Sequence, residues 1–355
     1  MDIIESNNSV IVFENKGLDL LKKSIVENNY SKIFVLVDEN TKKNCLSFLL
    51  KSFENLSKIN VLEIRSGEIN KNLDTCEYLW NQLSKSGADR KSAIINLGGG
   101  VICDLGGFVA STFKRGISFY NIPTTLLSMV DASVGGKTGI DFGMIKNQIG
   151  VFEEPQMVLI LSKWLKTLEK KQILSGFSEM LKHGLILDKT YWNKLSALKT
   201  IDINIIDQMI LKSIRLKNSI ILKDLKEENK RKVLNFGHTL GHAIESNYLG
   251  TEKELLHGEA IAIGMILESF LSHKVLGLSI NDLENITKTI TRFFKKREIN
   301  NPEVSKIISL LKHDKKVIGE KINFVLIKKI GLTKIDVLVN DKLITESFDF
   351  YNSLS

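Results

Sequence analysis

Ser92-Ala93-Ile94-Ile95-Asn96-Leu97-Gly98-Gly99-Gly100-Val101-Ile102-Cys103-Asp104 decides the fold of this chain. The run 92–97 is short, apolar and β-branched, as a strand buried on both faces must be, and it stops at three consecutive glycines. Working outward, similar runs recur at 33–37, 61–64, 119–122 and 157–161, separated by amphipathic segments. Short strands alternating with helical patterns predict a parallel sheet with helices on its faces. From about Trp164 onward the strand-like runs almost vanish, and 203–222, 257–273 and 286–295 carry helical spacing. The expected architecture is an α/β amino-terminal domain over 1–163 followed by an all-α carboxyl-terminal domain over 164–355. One exception is 322–327 with 335–339, whose pattern suits a small hairpin.

A chain of 355 residues exceeds one ordinary core, in keeping with two domains. With 43% hydrophobic and 25% charged residues and only 3 prolines, the composition is that of a globular protein. The net charge of +8 invites a nucleic-acid partner, but the lysines alternate with acids, as in Lys223-Asp224-Leu225-Lys226-Glu227-Glu228. Mostly this is a solvated face; a basic surplus can also serve an anionic small substrate held by cations converging in a cleft, and charge by itself does not separate the two readings, although no nucleic-acid partner is expected. The opening 1–10 carries Asp2 and Glu5 without an apolar core, so no secretory signal is expected. No run of about 18 apolar residues predicts a membrane span, and the expected location is the cytoplasm. Cys45, Cys76 and Cys103 have neither disulfide-framework nor zinc-ribbon spacing, which suits a reducing compartment.

Three clusters carry chemistry. At the glycine turn 98–100, backbone N–H groups can approach a pyrophosphate at the positive end of the following helix, although Cys103 stands where the standard dinucleotide fingerprint has its third glycine. Asp38-Glu39-Asn40 ends the strand 33–37, where ribose hydroxyls are usually held. His238-Thr239-Leu240-Gly241-His242 and Leu256-His257-Gly258-Glu259 bring three of the six histidines within twenty positions. Imidazoles beside a carboxylate are what a catalytic zinc centre needs, and spacing by itself favours His238 and His242, four apart on one helix face. The third cluster is dense in Gly, Ser, Thr and Lys. It runs through Pro123-Thr124-Thr125-Leu126-Leu127-Ser128, Asp131-Ala132-Ser133-Val134-Gly135-Gly136-Lys137-Thr138-Gly139 and Lys146-Asn147-Gln148-Ile149-Gly150. Its spacing is not that of a Walker loop, which disfavours an ATPase.

Together with Gly98-Gly99-Gly100-Val101, Glu179-Met180-Leu181-Lys182-His183-Gly184 and Asn235-Phe236-Gly237-His238-Thr239-Leu240-Gly241-His242-Ala243-Ile244-Glu245, these stretches resemble the 3-dehydroquinate synthase family in order along the chain, from about Asp38 to Lys316. The resemblance implies a Rossmann-like first domain, a helical second domain, an active site in the cleft between them and a homodimer. It implies a lyase that uses NAD⁺ and one divalent metal, Zn²⁺ or Co²⁺, to convert the sugar phosphate 3-deoxy-D-arabino-heptulosonate 7-phosphate to 3-dehydroquinate and phosphate. Carried over by position, the metal ligands fall on Glu179, His238 and His257, so that His242 becomes a substrate residue. The NAD⁺ contacts fall on Asp38, Asn40, Glu68, Lys71, Gly99, Gly100, Val101, Ile102, Asp104, Thr124, Thr125, Lys137, Lys146 and Thr167. The substrate and catalytic positions fall on Arg115, Asp131, Lys137, Asn147, Lys182, Lys217, Glu227, Arg231, Asn235 and His242, with Lys315 added from Asp314-Lys315-Lys316 without a choice between the two lysines. Ser175-Gly176-Phe177-Ser178 and Cys103 depart from the usual pattern but remove no charged pocket residue. Two other readings share the motifs or the architecture: another sugar phosphate cyclase, and a metal-dependent polyol dehydrogenase that would release NADH.

Overall fold

The computed structural model describes residues 3–53, 59–143, 145–312, 317–318 and 321–354. The chain packs as two compact units, 1–169 and 170–355. Trp164, which the sequence reading assigns to the second domain, is buried in the core of the first.

The first unit is built on a seven-stranded sheet. Its strands are β1 (Ile3–Glu5), β2 (Val10–Phe13), β3 (Ile33–Asp38), β4 (Ile59–Ile64), β5 (Ala93–Gly98), β6 (Ser118–Pro123) and, after the separate hairpin of β7 (Lys137–Phe142) and β8 (Ile145–Phe152), β9 (Met157–Ile160). The spatial order is β1-β2-β9-β6-β5-β3-β4, and every pairing except β1 with β2 is parallel. Strand alternation sends successive side chains to opposite faces. Ile33, Val35 and Val37 join Ile95, Leu97, Tyr120 and Leu159 under helices Glu14–Asn28 and Ser47–Ser52. Phe34 and Leu36 join Ile94 and Phe119 under helices Leu73–Lys85 and Gly100–Thr112. The apolar runs read from the sequence at 33–37, 92–97, 119–122 and 157–161 are thus strands covered on both faces, whereas 61–64 lies in the edge strand β4, where Val61 is exposed. β1, β2 and the β7–β8 hairpin are additions to that reading. β8 faces solvent along most of its length, so Lys146-Asn147-Gln148 shows no buried alternation and reads as a loop.

β3 and β5 are neighbours, yet the chain leaves β3 for β4 on one side and β5 for β6 on the other. That reversal of direction opens a crevice at the carboxyl ends of the two strands, where open α/β sheets bind ligands. Asp38 and Gly98 are the last residues of those strands.

The second unit is mainly helical, with helices Lys170–Leu187, Lys189–Ser196, Asp207–Ile221, His238–Tyr248, His257–Leu276, Ile280–Phe293, Asn301–Lys312 and Asp341–Ser353. The anticipated hairpin forms as part of a three-stranded antiparallel sheet of β10 (Val317–Ile318), β11 (Lys321–Lys329) and β12 (Leu332–Val339), so this unit is helical with one small sheet. Every residue from Ala260 to Ser272 is buried, as expected for a helix apolar on all sides. This helix is the axis of the unit and packs on Lys170–Leu187 and His238–Tyr248.

Candidate functional site

In the second unit three helices bring their polar residues to one place. Helix Lys170–Leu187 carries Glu179 and, one turn on, Lys182. Both are buried, with Lys182 Nζ against Glu179 Oε2. Helix His238–Tyr248 opens with His238 and adds His242 a turn later, and His257 opens the central helix. Glu179 Oε1 is buried without a hydrogen-bond donor among the described residues. It faces His238 Nε2 at 3.6 Å and His257 Nε2 at 3.8 Å. Ligand atoms around a tetrahedral ion at about 2.0–2.1 Å lie about 3.3 Å apart, so this spacing suits three ligands of one cation better than three hydrogen-bonded groups. The other imidazole nitrogens are held from behind: His238 Nδ1 lies 3.2 Å from the Phe236 carbonyl and His257 Nδ1 lies 3.1 Å from Glu245 Oε2. Such acceptors keep the proton on Nδ1 and leave Nε2 as the donor to a metal. Burial, then the charge of Lys182 and the neighbouring imidazoles, holds the pKa of His238 well below 6.5. The neutral ring is the form that ligates.

His242 belongs to the same cluster. Its ring centroid lies 5.0 Å from that of His238 and 5.6 Å from that of His257, and ligand atoms of the three imidazoles fall within 4.8 Å of one another. Geometry therefore permits the His238–His242 pair that spacing favours as well as the Glu179–His238–His257 set that the resemblance implies. The two sets differ in burial: Glu179 and His238 are buried, His257 is half-buried and His242 is exposed.

Elsewhere in this unit Asn235 Nδ2 donates to Glu227 Oε1 at 2.6 Å, joining two of the expected substrate residues. Arg231 is buried, with its Nη1 on the Leu225 carbonyl at 2.6 Å. Lys217 is buried on helix Asp207–Ile221. Asp224, absent from the sequence-based set, organises this loop by accepting the N–H groups of Glu228, Asn229 and Arg231. The Arg231 N–H bond leads the effects that lower its pKa. Lys315 and Lys316 lie outside the described residues.

In the first unit the glycine turn behaves as its position suggests. Gly99 begins helix Gly100–Thr112 without a side-chain cap, leaving its first N–H groups to other partners. A Cβ on Gly99 would meet Thr125 Cγ2 at 3.2 Å, and Thr124 N donates to the Gly98 carbonyl at 2.9 Å. Gly99, Gly100, Thr124 and Thr125 are therefore together at the ends of β5 and β6. Val101 is half-buried, and Ile102 is buried in the core, where only its backbone is available to a ligand. A second group surrounds Lys71, whose Nζ reaches Asp104 Oδ2 at 2.7 Å, Asn147 Oδ1 at 2.5 Å and Glu68 Oε1 at 3.9 Å. Burial works against this ammonium, but Asp104 and Glu68 outweigh it and raise the Lys71 pKa, while burial raises that of Asp104. Lys146 Nζ is 4.0 Å from Glu68 Oε1. The cofactor set Glu68, Lys71, Asp104 and Lys146 thus meets Asn147, expected on the substrate side. Sequence reading missed Asp141, which accepts Asn147 N–H at 2.7 Å and donates its own N–H to the Lys71 carbonyl at 2.8 Å.

Other expected residues of this unit have their own surroundings. The Asp38 carboxylate caps the turn after β3 by accepting Thr41 N–H at 2.7 Å, and Asn40 is exposed beside it. Arg115 is exposed at a left-handed backbone position, φ 70°. Asp131 is half-buried and Lys137 is exposed at the start of β7. Thr167 is exposed and donates its hydroxyl to the Trp164 carbonyl.

Comparison with known proteins adds identity to this geometry. The family model described as 3-dehydroquinate synthase N-terminal matches residues 61–175, and that described as 3-dehydroquinate synthase C-terminal matches 176–317. The chain is 40% identical over 324 residues to a 3-dehydroquinate synthase of Parabacteroides distasonis, covering 91% of this chain and 92% of the relative. It is 39% identical over 331 residues to one of Dictyoglomus thermophilum, covering 91% and 90%. Among solved structures it resembles a 2-deoxy-scyllo-inosose synthase complexed with carbaglucose-6-phosphate, NAD⁺ and Co²⁺, with a TM-score of 0.87, 22% identity and coverage of 98% and 99%. It also resembles a 2-epi-5-epi-valiolone synthase from Streptomyces hygroscopicus with NAD⁺ and Zn²⁺ bound, with a TM-score of 0.84, 22% identity and coverage of 99% and 98%.

Proposed function

This chain belongs to the 3-dehydroquinate synthase family, and from that membership we propose that it converts 3-deoxy-D-arabino-heptulosonate 7-phosphate to 3-dehydroquinate and phosphate. The observation that carries the reading is Glu179 Oε1, buried without a donor among the described residues and faced by the Nε2 atoms of His238 and His257. A carboxylate and two neutral imidazoles fit a divalent cation, zinc or cobalt. The direction reversal between β3 and β5, with an uncapped glycine turn at its rim, fits NAD⁺. When bound, NAD⁺ would supply a reversible acceptor for the hydride on the carbon bearing a substrate hydroxyl, whose O–H loses its proton, and the cation would polarise vicinal hydroxyls.

The chain's own residues hold and orient the reactant. In the first unit, Gly99, Gly100, Thr124 and Thr125 offer backbone and hydroxyl groups to the pyrophosphate, and the paired Lys71 and Asp104 are further NAD⁺ contacts. Asn147, its backbone N–H held by Asp141 and its side-chain oxygen by Lys71, offers its amide NH₂ to the substrate. Arg115, Asp131 and Lys137 are further substrate residues on this unit. In the second unit Lys182, Lys217 and Arg231 supply positive charge for phosphate and carboxylate, with Arg as a fork and Lys as point charges. Asn235, oriented by Glu227, binds hydroxyls, and His242 binds the substrate and moves a proton. Oxidation of one hydroxyl acidifies the neighbouring carbon, phosphate is eliminated, and after reduction the opened ring closes by an intramolecular aldol step. These residues favour each stage by holding conformers and stabilising oxyanions. A homodimer in the cytoplasm completes the proposal.

The test is phosphate release from this substrate by purified protein with NAD⁺ and zinc, with NADH absorbance followed in parallel. Release that depends on both cofactors with no net NADH is expected. Net NADH would indicate a polyol dehydrogenase, and no release from folded, metal-loaded protein would move the assignment to another sugar phosphate cyclase.

A further inference from the structure

Between Ala260 and Ser272, where every residue of the central helix is buried, Glu268 is the single charged side chain. A carboxylate in such surroundings is costly unless its oxygens are hydrogen-bonded. Here Oε2 accepts the Gly237 N–H at 2.6 Å and Oε1 accepts the Leu240 N–H at 3.1 Å. These two amides flank His238 at the entry to helix His238–Tyr248. Gly237, the residue preceding that helix, has no side chain with which to cap it. Glu268 therefore caps the helix from a neighbouring one, with its charge at the positive end of the helix dipole.

The same face of the central helix holds the turn sterically. A Cβ on Gly264 would lie 2.0 Å from the Gly237 carbonyl oxygen, and a Cβ on Gly237 would meet Met265 Cγ at 2.6 Å. Gly237 has φ 79°, so the turn is specific to glycine on two counts. Residues 257, 261, 264 and 268 recur at spacings of 4, 3 and 4 and so share one helix face. That face begins with one imidazole of the candidate metal site and forms the bed on which the turn bearing the other rests. We propose that Glu268 is a positioning residue of this site, fixing where the His238 imidazole stands relative to His257. The proposal rests on the reading of Glu179, His238 and His257 as metal ligands.

The test titrates Co²⁺ and Zn²⁺ into metal-free full-length wild type, Glu268→Gln, His238→Ala and, as a control on the same buried helix, Ser269→Ala. Affinity is read by chelator competition, ligand geometry by the visible spectrum of the cobalt form, and folding by thermal unfolding of the metal-free protein. Gln replaces one acceptor oxygen with an NH₂ donor facing a backbone N–H. Glu268→Gln is expected to bind both ions about 10–100-fold more weakly, with an altered cobalt spectrum, while Ser269→Ala keeps the wild-type spectrum whatever its melting temperature. A folded Glu268→Gln with wild-type affinity and spectrum overturns the proposal. Should that variant not fold, amide exchange in the wild type decides: slow exchange at both Gly237 and Leu240 supports the proposal, and rapid exchange at either overturns it. Wild type that binds neither ion overturns the metal reading and this proposal with it, whereas wild-type binding lost only in His238→Ala overturns this proposal alone.

Discussion

Glu179 and the two imidazoles facing it are a dependent set, because removing one leaves the others without the geometry that a cation needs. Glu179→Ala and His257→Ala are expected to lose the stoichiometric metal and the activity, and His242→Ala to lose activity while keeping the metal, as elemental analysis after dialysis would show. Equal metal loss in all three variants would refute the ligand assignment. The three thiols make the contrasting case. Cys45, Cys76 and Cys103 are buried, and burial raises the pKa of Cys45 and Cys76 to about 12 and that of Cys103 well above 9.0. Native protein should show no fast-reacting thiol toward a disulfide reagent, and all three on unfolding. Residue identity made the imidazole cluster legible in the chain. The partners behind the imidazoles were not, because one is a backbone carbonyl, that of Phe236, and the other, Glu245, meets His257 across two helices, which no residue pattern encodes.

Helices and strands show where pattern suffices. Asn72 precedes helix Leu73–Lys85 and accepts the Thr75 N–H at 2.9 Å, a cap that follows from local sequence. Asn72→Ala should destabilise the first unit by about 1 kcal/mol in denaturant unfolding, with NAD⁺ affinity unchanged. No loss of stability would mean that the cap is redundant. Helix His238–Tyr248 has no such local device and is capped by Glu268 across the helix pair. The β7–β8 hairpin illustrates the converse difficulty. The exposure of β8 erases the apolar alternation by which strands are recognised, so a segment rich in functional residue types reads as a loop.

At the scale of the whole molecule, charge sets the response to pH. The carboxyls of Glu39, Asp89, Asp188, Asp224 and Glu303 have lowered pKa values because hydrogen bonds or a cation outweigh burial. Each contributes stability that is present above its unfolded pKa and lost as pH falls through its folded pKa, on the acid side of the ordinary carboxylate range. Asp104 and Asp141, raised by burial, act in the opposite sense. The larger group should prevail, with the melting temperature of the metal-free protein falling as pH drops from about 5 to 3. An unchanged melting temperature over that range would contradict the balance. By itself, the sequence determined the parallel sheet, the helical second half, the glycine turn and the histidine-rich cluster, because periodicity and residue type are local properties that burial enforces one element at a time. Only the tertiary structure decided which side chains meet. Lys71 joins Asp104 and Asn147 across separate elements, the β3–β5 reversal is a matter of strand order, and Glu179 faces His238 and His257 because a helix apolar on every side fixes the spacing of its neighbours.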